Sequence, residues 1–208
     1  MNASRRPRRR AATLALVAAT LVVAAGIAAC SLRDALAVRL MRRAVTATLS
    51  SDLLDELPDG LHVGLCGAGS PLTDPKRGGP CTAVVAGERL FVVDAGTGAS
   101  RTLGRMRLPQ GAVEAVFLTH FHSDHIDGLG ELLLQRWVNA SAKQPVPVHG
   151  PQGVERVVAG LAEAYAEDAV YRVAHHGEGV VPPGGAGGEA RAFDEPADGE
   201  AAVLVDDG

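Results

Sequence analysis

Four side chains able to bind a metal ion fall within six positions of the stretch VFLTHFHSDHIDGLGEL, residues 116–132: His120, His122, Asp124 and His125. In an extended segment side chains repeat every two residues, so His120 and His122 point the same way and two imidazoles reach one ion. Asp124 and His125 are adjacent and diverge where the chain turns into a helix, which suits a second ion close to the first. Nitrogen and oxygen donors of this kind suit zinc, and a catalytic zinc keeps a position open for water. Two such ions a few ångströms apart can share a hydroxide and clamp a phosphoryl or sulfuryl oxygen. The bland alternative is a histidine-rich surface loop. A lone histidine would favour it, whereas four donors at the mouth of a buried strand favour metal binding.

The elements that position these residues are readable from periodicity. LHVGLCG (61–67) alternates like a strand, and a long Gly/Pro loop follows over 67–80. CTAVVAGERLFVVDAG (81–96) predicts a hairpin turning at Ala86, Gly87 and Glu88. GAVEAVFLTH (111–120) is a buried strand that runs into the cluster. Residues 125–141 form a helix with Leu129, Leu132, Leu133 and Trp137 on one side, 145–150 a short strand, and 153–169 an amphipathic helix. Strands and helices alternate, so the fold class is α/β. After Ala174 the chain is rich in Gly and Pro with little periodicity, and AAVLVDDG at the end reads as a strand beginning or a turn opening. A domain seldom ends that way, so the chain is expected to be cut short.

The N-terminus is a separate matter. A basic block, MNASRRPRRR, precedes an uncharged apolar run over 11–29 that ends at Cys30 after two small residues. This fits a signal peptide with a lipobox, lipidated at Cys30. It also fits an uncleaved membrane anchor, or ordinary cleaved secretion. Each reading places the later residues outside the cytoplasm, on the periplasmic or cell-surface side of a bacterium. Residues 31–57 read as a helix, its arginines either facing lipid headgroups or packed on the domain. Residues 58–208 are then the folded part. Cys66 and Cys81 flank one loop, as a disulfide in an oxidising compartment or as two buried thiols.

His-x-His-x-Asp-His after a buried strand resembles the signature of the metallo-β-lactamase superfamily. LTHFHSDHIDGL resembles, more narrowly, its ribonuclease Z and arylsulfatase-like branch. GAGSPLTDPKRGGPC, FVVDAGTGA, VHGPQGVERVV and YRVAHHGEGVVPP agree, so the resemblance runs from about Leu61 to the end. It implies a four-layer αβ/βα sandwich, of which this chain carries the first half and the start of the second. It also implies two zinc ions, the first on His120 and His122 and the second on Asp124 and His125. Asp124 would orient the nucleophile, and Asp94 would support the metal loop from behind. The ligands that complete the set would lie beyond Gly208. His149 stands where the family has a Gly-Pro turn rather than a ligand. His175 and His176 either line the pocket or belong to a loop that bonds its own backbone.

Three activities compete within that resemblance: hydrolysis of phosphodiesters or aryl sulfates, tRNA 3′ processing, and lactam or lactone hydrolysis. A non-catalytic scaffold is the reading outside enzymes. The net charge is −4, and residues 177–208 hold eight acidic side chains against one arginine, which makes nucleic acid an unlikely substrate. The sequence thus favours an exported hydrolase, tethered to the membrane through its N-terminus and acting on small esters, with a homodimer compatible. Two protein ligands per ion would leave these residues inactive by themselves.

Overall fold

Apolar residues at 81, 83 and 85, and again at 90 and 92, need a sheet with a covered face, and the structure supplies one. The structure, a computed structural model, describes residues 14, 16–28, 32–33, 36–41, 52–72 and 74–206. The chain divides into two compact units, Met1–Ser51 and Asp52–Gly208. In the first, all the described residues are helical. Among the described residues no helix is long and apolar enough to cross a membrane. Cys30 and the basic block at 1–10 lie outside the described residues.

The second unit is built on one sheet of six strands in sequence order: β1 (Leu61–Gly67), β2 (Cys81–Ala86), β3 (Arg89–Val93), β4 (Val113–Phe117), β5 (Val146–Gly150) and β6 (Gly188–Ala192). The first three are antiparallel neighbours, and β3 to β6 run parallel. The parallel strands are joined through α1 (Ala99–Arg105), α2 (Ser123–Ile126), α3 (Leu129–Ala140), α4 (Val154–Ala164) and α5 (Ala166–His176). The fold is therefore α/β with a mixed sheet, as the alternation predicts. Cys66 and Cys81 form a disulfide between β1 and β2, with Cα atoms 4.9 Å apart and 15 residues of separation.

One face of the sheet is covered. Ala83, Val85, Leu90, Val92, Val116 and Val148 are buried with Leu103 of α1, Leu129, Leu132 and Leu133 of α3, and Val154 and Val158 of α4. The opposite face is also apolar. Leu61, Val63 and Leu65 are 72%, 65% and 70% exposed, and the register sets Val63 beside Val84 and Val84 beside Phe91. Strands with apolar side chains on both faces lose the clean alternation of a half-buried sheet.

Five elements differ from expectation. Of residues 52–57, the described end of the helix expected over 31–57, only Leu54–Glu56 are helical, as one 3-10 turn. Helix α1 went unread: its buried residues Ala99, Ser100 and Leu103 are mostly small and give little periodicity. The helix expected over 125–141 breaks at Gly128, whose N–H bonds the Ala95 carbonyl at 2.8 Å; a Cβ there would collide with the Gly96 carbonyl. The helix expected over 153–169 breaks at Tyr165, whose ring packs on Gly130 of α3, and resumes as α5 to His176. Within the Gly/Pro tail, β6 pairs with β5 from Val146↔Gly188 to Gly150↔Ala192, whereas residues 201–206 form no strand.

Leu132 is fully buried, so Leu132→Ala should cost about 3 kcal/mol in urea unfolding through lost packing and a residual cavity. Leu61→Ala on the open face should stay within about 0.5 kcal/mol in the same measurement.

Candidate metal centre

Strands β3 and β4 are parallel, so their C-terminal ends meet at one edge of the sheet. Asp94 follows the first and Thr119 to His125 follow the second. Pairing continues one step past β4, with Leu118 N–H bonding the His149 carbonyl at 2.8 Å. His122 then stays extended, at φ −62 and ψ 145, before α2 begins at Ser123. The extended stretch sets His120 and His122 on the same side, and the start of α2 turns Asp124 and His125 back toward them.

The three rings form one cluster. His120 Nε2 lies 3.0 Å from His122 Nδ1, and the His120 and His125 ring centroids are 4.0 Å apart. His125 Nε2 lies 3.8 Å from Asp124 Oδ2, and the Asp124 side chain is nearly buried. Two donors on one tetrahedral zinc stand about 3.3 Å apart, given metal–ligand distances of about 2.0–2.1 Å. The two measured separations, 3.0 and 3.8 Å, lie on either side of that figure. Among the described residues no group of three or more His, Cys, Asp or Glu side chains is placed to hold one ion. The four donors are thus gathered on one short segment without forming a closed site, and their nitrogen and oxygen chemistry suits zinc.

Asp94 organises the pairs from below. It is 6% exposed and adopts a left-handed backbone, φ 56, a strained conformation for a residue with a Cβ. Its Oδ1 accepts the Thr119 N–H at 2.9 Å, and its Oδ2 accepts the Thr119 hydroxyl at 2.9 Å and His125 Nδ1 at 2.8 Å. With that hydroxyl proton on Asp94, the Thr119 oxygen is left to accept from His120 Nδ1 at 3.0 Å. Both bonds hold the Nδ1 proton in place and leave Nε2 of His120 and His125 as lone-pair donors. Thr119 was missed by sequence reasoning; the only signal was its place between the strand and the first histidine.

The floor of the site is backbone packed on backbone. Ala95 N–H bonds the His125 carbonyl at 2.9 Å, and Gly96 N–H bonds the Pro80 carbonyl at 2.9 Å. A Cβ on Gly96 would collide with the Asp124 carbonyl.

The other histidines stand apart. His149 is buried in β5 and stacks on Phe117, with centroids 4.9 Å apart and planes at 17°. Burial, then the positive Arg191, lowers its pKa, with Glu189 opposing. His175 and His176 end α5, exposed, with rings meeting each other at 4.6 Å; they are helical rather than part of a loop.

Residues 74–205 match the model of the metallo-beta-lactamase superfamily. A ribonuclease Z of Mycobacterium bovis (strain BCG / Pasteur 1173P2) is 42% identical over 125 residues, covering 59% of this chain and 45% of that protein. The ribonuclease Z of Mycolicibacterium gilvum (strain PYR-GCK) is 41% identical over 125 residues, with shares of 59% and 44%. Among solved structures, the short form of human tRNase Z aligns at 28% identity and a TM-score of 0.46, covering 50% of this chain and 40% of that one. The chain thus spans about half the length of the curated relatives it matches, 45% for the M. bovis protein.

These relatives overturn two expectations. The preference for an exported hydrolase of small phosphodiesters or aryl sulfates gives way to the ribonuclease reading, and nucleic acid ceases to be an unlikely partner. The charge argument failed for a physical reason. A census of residues 177–208 counts groups with local roles: Asp194 accepts from Gln152 at 2.9 Å, and Glu189 pairs with Arg191 at 3.1 Å. It does not report the field at the cluster.

A lowered folded-state pKa for His149 means that the unfolded chain takes up its proton first. Its contribution to stability is complete above the unfolded value, about 6.5, and is lost as pH falls from there toward the folded value. His149→Gln should flatten that part of the stability–pH curve, measured by urea unfolding between neutral and mildly acidic pH. Gly96→Ala should destabilise the fold by about 2 kcal/mol or more, because backbone rather than a flexible side chain blocks the added methyl.

Proposed function

The chain belongs to the metallo-beta-lactamase superfamily, and from that premise we propose that it provides part of the active site of a zinc-dependent ribonuclease of the ribonuclease Z type, acting on tRNA precursors. The observation that carries the reading is the identity of 40–42% with several ribonucleases Z over 125 residues, beside a superfamily match over residues 74–205 that spans the whole histidine cluster. His120 and His122 are assigned to one ion, and Asp124 and His125 to the second. Asp94 and Thr119 hold the imidazoles in the ligating tautomer. Bound zinc supplies Lewis-acid activation of water and of a phosphoryl oxygen. Asp124, at the shared edge, orients the attacking water. Catalytic zinc ordinarily takes three protein ligands, so these four donors account for part of a two-ion shell.

The test is two measurements on the protein: zinc affinity by chelator competition, and zinc-dependent retention of a tRNA precursor carrying a 3′ extension in a gel-shift titration. His122→Ala is expected to weaken zinc binding by about 10-fold or more, because it removes one of the four donors. Unchanged zinc affinity in that variant would remove the metal assignment, and a zinc-loaded protein that retains the precursor no better than an unrelated RNA of equal length would remove the substrate. Asp94→Asn keeps the shape but loses the carboxylate that anchors His125, and should weaken zinc binding by about 10–100-fold in a chelator competition.

A further inference from the structure

We propose that the Cys66–Cys81 disulfide is a redox latch on the Asp124–His125 half of the metal centre. The bond joins β1 to the first residue of β2, and both cysteines are 2% exposed. It closes the foot of the loop over residues 68–80, which is also pinched where Gly69 N–H bonds the Gly78 carbonyl at 2.7 Å. The last two residues of that loop are the ones that touch the site. Gly79 N–H bonds the Thr97 carbonyl at 3.0 Å, and the Pro80 carbonyl accepts from Gly96 at 2.9 Å. Gly79 itself packs against the Asp124 carbonyl, at 2.5 Å from where its Cβ would be. Two peptide bonds therefore separate Cys81 from the backbone that supports Asp124. The side chain of Thr97 extends the same support, donating to Asp127 at 3.2 Å.

The other half of the centre has a different foundation. His120 and His122 follow β4, and the chain there is held by Leu118 against β5 and by Thr119 against Asp94. Breaking the disulfide should therefore loosen one pair of donors more than the other. In the reaction a dithiol reductant supplies two electrons and two hydrogens. The S–S bond breaks, Cys66 and Cys81 each become a thiol, and the reductant's two sulfurs join in their own disulfide. Because both sulfurs are buried, attack requires the loop to open first, so a settled loop also protects its latch.

This inference rests on the metal assignment for its functional meaning, but its test does not. Amide hydrogen exchange is measured on the 208-residue protein with metal removed by a chelator, oxidised and then reduced by a dithiol, with mass showing both thiols free. Exchange in residues 68–80 and 123–128 should quicken roughly tenfold on reduction, while α4 is unchanged. The Cys66→Ala/Cys81→Ala variant should show the fast pattern under either condition, and if that variant does not fold the wild-type comparison decides alone. Unchanged exchange at 123–128 after full reduction would overturn the proposal. So would an equal acceleration in α4, which would make the bond a general staple. A protein that binds no zinc yet shows the local acceleration would remove the metal assignment and leave the latch standing.

Discussion

One buried carboxylate sets the geometry of the centre. Asp94 occupies a left-handed backbone position at the end of β3 and accepts three kinds of proton: a backbone N–H and a hydroxyl from Thr119, and the imidazole Nδ1–H of His125. A charged acceptor buried to 6% exposure is stable only when such donors satisfy it. The demand works in both directions. Thr119 and His125 are held because Asp94 needs them, and the hydroxyl of Thr119 passes the constraint on to His120. The strain at φ 56 is the cost of bringing the carboxylate under the following strand, and the donors offset it.

The parallel pairing of β3 with β4 makes that contact available. In an antiparallel pair the ends of the two strands would lie at opposite edges, and Asp94 would face away from Thr119. Here both chains leave the sheet at one edge. The small residues around them, Ala95, Gly96 and Gly128, let three backbone segments pack without side chains between them. Glycine is required at 96 and 128 by these close approaches rather than by turn conformation.

Much of this was legible in the sequence because it obeys short-range rules. The two-residue period gave β1 its bounds and placed the β2–β3 hairpin within 81–96, past the end of β3 at Val93, and the His-x-His-x-Asp-His spacing placed all four donors on one short segment. What was not legible depends on partners far along the chain. Tyr165, where one helix ends and the next begins, packs on Gly130 of α3, and GEARA is a strand paired with the edge of β5. Thr119 looked like the end of a strand, because its role is defined by a residue 25 positions earlier. The basic and apolar N-terminus suggested export, and with it a substrate class. The substrate part of that inference is what the ribonuclease Z relatives overturn, because an export-like terminus carries no information about the chemistry of the histidine cluster.

The two cysteines show the same difference between local and long-range information. Their spacing left both a bridge and two buried thiols open, since sequence separation says nothing about how far apart two Cα atoms lie. Pairing of Val63 with Val84 and Leu65 with Thr82 settles it, because the ladder brings the two strands side by side up to the bulge at which Cys66 sits. The same ladder fixes where the loop between them must land. A loop that starts and ends on adjacent strands returns to its origin, and its return passes beneath Asp124. The bridge, the loop and the metal pair are thus consecutive consequences of one strand register. His120 and His122 are held instead through Leu118 on β5 and through Thr119 on Asp94.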